Sequence, residues 1–512
     1  MMVRRGSKRL ARLRNRLLTL LGYVPLRDLA KARSAREAQT VESPVMAGPE
    51  TSPLDLTLLG ASRPDQCGAL PLYDGVDAMV ARLALIRSAK HCIDVQYYLF
   101  RHDEVGKLLI WQLLEAADRG VRIRLLLDDT TGMRQDAELR ALSSHPQISV
   151  RLFNPARLRR WRSLSLLSDF ARLNHRMHNK SLSVDGLLAI VGGRNIGREY
   201  FGADTELEFG DLDCLLTGPV VQQVSTQFNA FWDGPDTFGI ETIRPEDDLG
   251  LAALQDDIER ARPRLDHSPY LERLASSSLL HALSNRDLGW YWGPASVLSD
   301  PAHKARQDSQ RDWLIMALAQ RMRMVKKQLV IISPYFVPSR AGLELLTSLR
   351  NRGVAIRVIT NSLAATDVPL VHGKYRGYRR ALLQAGVEIY ELKSQVRRRH
   401  RVWRGSRASL HAKSFVFDDA GLFVGSFNFD PRSAWLNTEM GVMLETPALV
   451  ANLDQVLSGI LARQAYQLIW DAEGMGWRDP QTARVWRREP EAGVWRRLLV
   501  TVLAWLPIEK LL

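Results

Sequence analysis

One short pattern occurs twice in this chain of 512 residues, and the two copies lie 233 residues apart. The first copy reads HNKSLSVDGLLAIVGGRN over residues 178–195, and the second reads HAKSFVFDDAGLFVGSFN over residues 411–428. Each copy starts with His-x-Lys, has Asp at its eighth position and closes on small residues followed by Asn. A pattern repeated at this distance constrains the chain to fold as two related halves.

The repeat extends into the segments before each copy. Runs rich in β-branched and aromatic residues at 93–100 and 329–336 predict strands. Each run is followed by a stretch with the apolar spacing of a helix, a closing glycine (Gly120 or Gly353) and a second apolar strand. This alternation predicts an α/β fold with covered sheets. We expect two duplicated αβα halves packed about a pseudo-two-fold axis, with equivalent edges facing each other and one shared active site.

The length of the chain predicts two domains with additional tails. Both tails are basic and carry an apolar run too short to span a bilayer. Each run is interpreted as a helix that lies on the membrane surface. The alternative is a disordered tail for the N-terminal run and a helix docked on the protein core for the C-terminal run. The predicted division is a basic N-terminal tail at 1–60, a first half at 61–240, a helical connecting segment at 241–315, a second half at 316–470 and a C-terminal interfacial segment at 471–512.

The composition indicates the kind of partner. The formal net charge is +14, which predicts nucleic acid, an acidic membrane surface or a phosphate-bearing substrate. Three widely spaced cysteines, Cys67, Cys92 and Cys214, give neither a disulfide framework nor a metal-ligand cluster and favour a reducing compartment.

The residue types of the pattern suit chemistry at phosphorus. In a strand, residues two apart share a face, so His178 and Lys180 point together, as do His411 and Lys413. One imidazole can attack phosphorus and the other can protonate the leaving oxygen, while the ammonium groups neutralise the developing charge. No carboxylate-rich ligand set accompanies them, so the sequence predicts neither a metal nor a cofactor.

The predicted catalytic set includes four further positions of the pattern. Asn195 and Asn428 offer neutral hydrogen-bond donors. Asp185 and Asp418 are counted in the same set, although they face away from the histidines and are expected to make a structural contact near the following turn.

Each imidazole also needs an acid that orients it. The next predicted strand in each half begins with acidic residues, and matching the apolar patterns places Glu439 opposite Asp211. We predict these two acids as the orienting partners. The alternatives in the first half are Glu206, Glu208 and Asp213.

These features resemble the phospholipase D superfamily, whose hallmark is two His-x-Lys-x-x-x-x-Asp motifs in one active site. More closely, the chain resembles bacterial phospholipase D-type cardiolipin synthases of the C subgroup, on the motifs and on the segments ATDVPLVH and WLPIEKLL. The resemblance covers the chain from about residue 65 to its end. It implies transfer of a phosphatidyl group to an alcohol through a phosphatidyl-histidine intermediate, with His178 as the nucleophile and His411 as the general acid and base, two roles that could be exchanged.

The resemblance also implies the partners and the location. The expected substrates are anionic phospholipids, with phosphatidylglycerol as the acceptor and phosphatidylethanolamine as a further candidate, and no nucleic acid is expected. The protein would be peripheral, on the cytoplasmic face of the inner membrane. Basic stretches around Trp161 and Trp403 are interpreted as headgroup-binding segments or as solvated loops. His372 and Asp367 are interpreted as lining the cleft, with a satisfied loop histidine as the alternative for His372.

Three functions therefore compete. A phosphatidyltransferase would make cardiolipin, a hydrolytic phospholipase D would let water reach the same intermediate, and a nuclease of the superfamily would act on a nucleic-acid backbone. A catalytically inactive membrane-binding module is disfavoured because both His-Lys sets are complete.

Overall fold

The structure is a computed structural model. It describes residues 63–505 except for short gaps at 64, 131–132, 160–164, 166–167, 205–206, 267–268, 286–287, 307–309 and 395–406. Several predictions lie outside the described residues: the N-terminal tail at 1–60, the final residues 506–512, Glu206, and most of the basic stretches around Trp161 and Trp403. Arg159 of the first stretch is described, and it is buried and paired with Asp129 and Asp136.

The first half and the connecting segment supply the strands β1 (Cys67–Leu72), β2 (Cys92–Tyr97), β3 (Arg122–Asp128), β4 (Ile148–Phe153), β5 (Ser181–Val184), β6 (Leu188–Gly192), β7 (Leu207–Gly210), β8 (Asp213–Thr217), β9 (Thr237–Gly239) and β10 (Tyr291–Gly293). All but β7 form a nine-stranded sheet in the order β10-β1-β8-β6-β5-β2-β3-β4-β9.

The rest of the chain supplies β11 (Ala295–Ser299), β12 (Gln328–Ile332), β13 (Ala355–Asn361), β14 (Glu388–Leu392), β15 (Arg407–Leu410), β16 (Ser414–Phe417), β17 (Gly421–Gly425), β18 (Met440–Glu445), β19 (Ala465–Asp471), β20 (Gly474–Arg478) and β21 (Val485–Trp486). All but β15 form a ten-stranded sheet in the order β11-β18-β17-β16-β12-β13-β14-β19-β20-β21. Strands β7 and β15 pair with each other in parallel.

The helices are α1 (Gly75–Ser88), α2 (Glu104–Asp118), α3 (Met133–Leu142), α4 (Phe170–Leu173), α5 (Val220–Trp232), α6 (Ile240–Ile243), α7 (Leu251–Asp266), α8 (Pro269–Ala275), α9 (Ser278–Ser284), α10 (Leu314–Met324), α11 (Ser339–Asn351), α12 (Pro369–Gln384), α13 (Pro431–Trp435), α14 (Pro447–Gln464) and α15 (Val494–Ala504).

Local signals in the sequence set several of these boundaries. Asp74 and Asp103 cap α1 and α2, because each carboxylate accepts hydrogen bonds from two amides of the first turn. After α2 and α11, Gly120 and Gly353 adopt φ values of 90° and 88°, the left-handed conformation that commonly ends a helix. The elements predicted before each motif are therefore observed, with boundaries shifted by a few residues.

The two large sheets share one topology. The order β8-β6-β5-β2-β3-β4 in the first sheet corresponds to β18-β17-β16-β12-β13-β14 in the second. In both, the pairings are antiparallel as far as β2 or β12 and parallel beyond it. The prediction of a duplicated α/β fold is confirmed.

The halves meet through sheet faces, not through the equivalent edges that we predicted. One apolar cluster joins side chains of β6 and β8 to side chains of β17 and β18, among them Val191, Cys214, Val424 and Val442. Strand β6 lies against both β17 and β18. A face buries more apolar surface than an edge, because alternate side chains along every strand contribute to it.

Two predicted segments differ from the structure. The connecting segment contains the helices α7, α8 and α9, but it also contributes β10 to one sheet and β11 to the other, so it is not helical throughout. The second sheet continues past residue 470 through β19, β20 and β21. Strands β10, β11 and β19 are stabilised by backbone pairing with β1, β18 and β14, which are distant in sequence, and local composition does not reveal such pairing. Strands β20 and β21 then follow β19 as hairpins.

The C-terminal apolar run forms α15, which lies along α12. Val500 is buried against Leu363, and Lys374 Nζ donates a hydrogen bond to the Ala504 carbonyl at 2.8 Å. The opposite side of α15 is exposed. Within the described part of the chain, no helix combines the length and apolar character needed to cross a membrane.

Candidate active site

Two backbone contacts between the halves bring the predicted residues together. The segment before β5 pairs in parallel with the segment before β18 at Met177 and Thr438. The His178 amide donates to the Thr438 carbonyl at 2.8 Å, and the Thr438 amide donates to the Arg176 carbonyl at 2.8 Å. His178 of the first half therefore lies beside Glu439 of the second.

The equivalent contact forms around the other histidine. Strand β15 leads into His411, and its partner β7 leads towards Asp211. The His411 amide donates to the Gly210 carbonyl at 2.7 Å, which extends this pairing by one residue. The pseudo-two-fold axis thus produces the same crossed arrangement twice.

Each imidazole consequently contacts a carboxylate of the opposite half. His178 Nδ1 donates to Glu439 Oε2 at 2.8 Å, and His411 Nδ1 donates to Asp211 Oδ2 at 2.6 Å. Both carboxylates are buried. A carboxylate at Nδ1 fixes the tautomer in which Nε2 carries the reactive lone pair. Both acids were predicted from the sequence, but the crossing of the pairs between the two halves was not.

Burial keeps both imidazoles neutral. Desolvation lowers the pKa of His178 to about 4 despite the opposing charge of Glu439. The pKa of His411 is also lowered, first by burial and then by the Lys413 ammonium. A neutral imidazole has a lone pair available to attack phosphorus or to accept a proton.

The two lysines of the motifs lie within the same buried site. Lys180 Nζ donates to the His178 carbonyl at 2.6 Å, and Lys413 Nζ donates to the His411 carbonyl. Burial lowers the pKa of Lys180 to about 7 and that of Lys413 to about 8. Each His-x-Lys lies in the extended segment just before β5 or β16, not within the strand as predicted. These positions allow the histidine amide to pair across the two halves.

The two aspartates of the motifs are far from this site. Asp185 accepts hydrogen bonds from the amides of Lys90, His91 and Cys92, and Asp418 accepts from the corresponding amides at 326–328. Seven residues of extended chain separate each aspartate from its histidine, roughly 23 Å. The structural contact that we predicted is present in both halves, and the inclusion of these two aspartates in the catalytic set stays a prediction.

The two asparagines have different surroundings. Asn195 accepts a hydrogen bond from the Leu99 amide at 3.3 Å, and its Nδ2 donates to the Tyr200 hydroxyl at 2.9 Å. The Tyr200 ring stands edge-on to His411 at 5.0 Å, so Asn195 supports the site through Tyr200. Asn428 is buried, and its Oδ1 has no hydrogen-bond partner among the described residues.

The small residues that close each motif make room for the acids. A Cβ at Gly193 would overlap the Asp211 carboxylate. The equivalent position in the second half is Ser426, whose hydroxyl donates to Glu439. Glycine at one position and serine at the other therefore adapt each half to the acid that it accommodates.

The other predicted residues are placed as follows. Asp213 is buried and paired with Arg82 at 2.8 Å, so it is a structural acid. His372 lies on α12 with Nε2 within 2.9 Å of Arg379, as a satisfied buried histidine outside the site. Asp367 accepts a hydrogen bond from the Tyr335 hydroxyl at 2.7 Å, and its charge acts on Lys413. The side chain of Glu208 lies outside the described residues.

Two tyrosines that pack edge-on against the imidazoles were not predicted from the sequence. Tyr98 stands edge-on to His178 at 4.9 Å, as Tyr200 does to His411. The Lys180 ammonium lies 5.4 Å from the centre of the Tyr98 ring. The position of Tyr98 at the end of a strand that leads to the site was the available signal. Among the described residues, no cluster of three or more His, Cys, Asp or Glu side chains could hold a metal ion.

Comparison with known proteins identifies the family. Residues 83–232 and 318–461 match a family model described as cardiolipin synthase, PLD-like domain. The chain belongs to this cardiolipin synthase family. The two matched stretches contain the two His-x-Lys motifs, one in each half.

Relatives in the cardiolipin synthase family extend over most of the chain. Cardiolipin synthase C of Escherichia coli (strain K12) is 41% identical over 468 residues, which cover 89% of this chain and 98% of the relative. The major cardiolipin synthase ClsA of Bacillus subtilis (strain 168) is 26% identical, over a stretch that covers 73% of this chain and 64% of the relative. The fold is similar to that of the phosphatidylserine synthase of Haemophilus influenzae Rd KW20, with a TM-score of 0.54, 15% identity and coverage of 78% and 87% of the two chains.

Proposed function

We propose that this protein is a cardiolipin synthase, a phosphatidyltransferase that moves a phosphatidyl group through a phosphohistidine intermediate onto a hydroxyl of phosphatidylglycerol. The observation that carries the proposal is the pair of crossed carboxylate–imidazole contacts next to two buried lysines. The name of the E. coli relative supports the same activity.

The first half-reaction begins with attack by Nε2 of one histidine on the phosphorus of a phospholipid. A P–N bond forms as the P–O bond to the headgroup alcohol breaks, and the second histidine, in its protonated form, gives its proton to the leaving oxygen. An anionic phosphodiester beside the second imidazole favours that protonated form, since an opposite charge raises the pKa of a base. The resemblance assigns the nucleophile to His178 and the acid to His411, and the near symmetry of the site permits the reverse.

The second half-reaction reverses these steps with a new alcohol. The second histidine, now neutral, removes the proton from a phosphatidylglycerol hydroxyl, whose oxygen attacks phosphorus while the P–N bond breaks. Lys180 and Lys413 neutralise the non-bridging oxygens in both transition states. Tyr98 and Tyr200 pack on the imidazoles and restrict the access of water, which favours transfer over hydrolysis.

The protein binds membranes peripherally through α15. Large apolar side chains form one stripe along the exposed side of this helix: Trp495, Leu498, Leu499, Val502 and Trp505. Two side chains of the adjacent α12, Lys374 and Arg376, hold α15 in place through hydrogen bonds to Ala504 and Thr501.

The membrane surface and the active site are connected in this arrangement. Arg496 donates to the carbonyl of Thr366, the residue before Asp367. Asp367 in turn holds Tyr335 beside the site. Lipid bound at α15 would therefore lie near the loop that borders Lys413. We place this surface on the cytoplasmic face of the inner membrane, as the family resemblance implies.

Lipid analysis by mass spectrometry tests the function. Purified full-length protein is incubated with vesicles of phosphatidylglycerol, and of phosphatidylglycerol mixed with phosphatidylethanolamine. We expect cardiolipin together with the released headgroup alcohol, and the yield in the two vesicle types identifies the donor. Phosphatidic acid without cardiolipin would indicate a hydrolase and contradict the proposal.

A further inference from the structure

The segment leading into each histidine is held by a side chain at the end of the neighbouring parallel strand. In the second half, Asn361 at the end of β13 makes two hydrogen bonds to Leu410, the residue before His411. Its Oδ1 accepts from the Leu410 amide at 2.8 Å, and its Nδ2 donates to the Leu410 carbonyl at 2.9 Å. The side-chain amide thus fixes both the backbone donor and the backbone acceptor of Leu410.

The equivalent residue in the first half is an acid. Asp128 ends β3, and the pairing of β2 with β3 and of β12 with β13 makes it the counterpart of Asn361. Its Oδ2 accepts from the amide of Met177, the residue before His178, at 2.8 Å. Its Oδ1 is buried and has no hydrogen-bond partner in the described part of the chain, although Arg176 lies 3.6 Å away. An ionised carboxylate can only accept, so it makes one of the two contacts that the amide makes.

We propose that Asp128 is a positioning residue for His178, and that it acts as the neutral acid, which presents one donor and one acceptor as Asn361 does. The neutral acid keeps the contact with the Met177 amide and adds an Oδ1–H donor for the Met177 carbonyl, the counterpart of the Leu410 carbonyl that Asn361 contacts. Ionisation removes this donor and leaves Asp128 with one hydrogen bond to the segment that enters His178.

The surroundings of Asp128 bring this change into the physiological pH range. Burial raises the pKa of the Asp128 carboxyl to about 7. Arg176 on the adjacent segment, the Met177 amide and Arg432 on α13 oppose this rise, whereas Asp129, the residue after β3, adds to it. The Tyr98 hydroxyl on the β2 side faces the same carboxyl and has a raised pKa of its own. The protonated form therefore dominates below pH 7 and declines above it.

The test compares two exchange variants with the wild type. In Asp128→Asn the amide keeps both contacts at every pH. The ratio of its kcat to the wild-type kcat should rise about two- to tenfold between pH 6 and pH 8, the value of one hydrogen bond, with KM unchanged. In Asn361→Asp the same ratio should fall over this range. Titration of the catalytic lysines is common to all three proteins and cancels in the ratios.

A third variant separates positioning from folding. Asp128→Leu removes both contacts and should lower kcat at both pH values, whereas Asp128→Asn should keep kcat near the wild-type value. Thermal unfolding shows whether each variant is folded. A ratio that stays constant for both exchange variants would overturn the proposal. The inference rests on the proposed function only because the assay measures cardiolipin synthesis. A wild-type protein that makes no cardiolipin would contradict the proposed function. An active wild type whose kcat ratios to both exchange variants do not change with pH would contradict the role of Asp128.

Discussion

At the residue scale, Gly193 shows how closely the site is packed. The position has no room for a Cβ, because that atom would overlap the Asp211 carboxylate that holds His411. Gly193→Ala should displace Asp211, and a misplacement of this kind costs about 10²-fold in kcat. Steady-state kinetics measures the loss. Gly377→Ala is the matched control, since a Cβ there meets open space and should leave kcat unchanged. Wild-type turnover in Gly193→Ala would show that Asp211 does not need its observed position.

The ionisable groups of the site predict a bell-shaped pH profile for kcat/KM. Protonation of His178 removes the attacking lone pair as the pH falls through about 4. The basic limb begins with loss of the proton of His411, the proposed acid, whose pKa is lowered by burial. It continues with loss of the protons of Lys180 and Lys413 as the pH rises through about 7 and about 8. Assays between pH 4 and pH 10, with circular dichroism to confirm folding, measure both limbs. Constant activity up to pH 10 would contradict the role given to the lysines.

The sequence contained most of the residues of the site but not their pairing. The repeat named the histidines, the lysines and both acids that contact the imidazoles. It could not show that Glu439 contacts His178 and that Asp211 contacts His411, because these contacts join residues 261 and 200 positions apart in the sequence. Backbone pairing at that distance leaves no periodic signal in either segment.

At the scale of elements, the exposed stripe on α15 gives the membrane prediction. Replacing Trp495, Leu498 and Val502 together by Ser should weaken vesicle binding at high salt, because each buried apolar side chain contributes up to about 1.5–3 kcal/mol that salt does not screen. The vesicle binding that remains in this variant should come from Lys and Arg side chains, and it should fall steeply as salt is added. Flotation with anionic vesicles at low and high salt measures both effects.

The controls for α15 come from the same structure. Met324→Ser removes an apolar side chain exposed on another helix, α10, and should bind as the wild type does. Val500 is kept, since it holds α15 on the protein. Turnover of a short-chain soluble substrate should survive in the stripe variant. Identical flotation of the stripe variant and the wild type would assign α15 to the protein core alone.

Elements with strong local signals were predictable, and those defined by distant pairing were not. The helix α2, with its apolar spacing and closing Gly120, was read correctly from the sequence. Strands β7 and β15 were missed, although they bring Asp211 to His411. Each has only four residues and pairs with the opposite half, so neither could be recognised from its own composition.

At the scale of the whole molecule, the duplication accounts for a site that neither half could form alone. Each half supplies one histidine and one lysine, and it supplies the carboxylate for the histidine of the other half. The sheets are held together by the apolar cluster between β6, β8, β17 and β18. The two halves and the axis that relates them were predicted from motifs spaced 233 residues apart. That the halves contact each other through sheet faces, not sheet edges, depends on how side chains pack in three dimensions.

The most direct test of this account is the turnover of His178→Ala, of His411→Ala and of an equimolar mixture of the two. One shared site within one chain predicts that each variant retains at most about one hundredth of the wild-type rate of cardiolipin formation, and that mixing restores nothing. Mass spectrometry of the protein quenched during turnover should find phosphohistidine in one of the two motifs of the wild type. Two independent sites would leave about half of the activity in each variant, and that result would contradict the shared site.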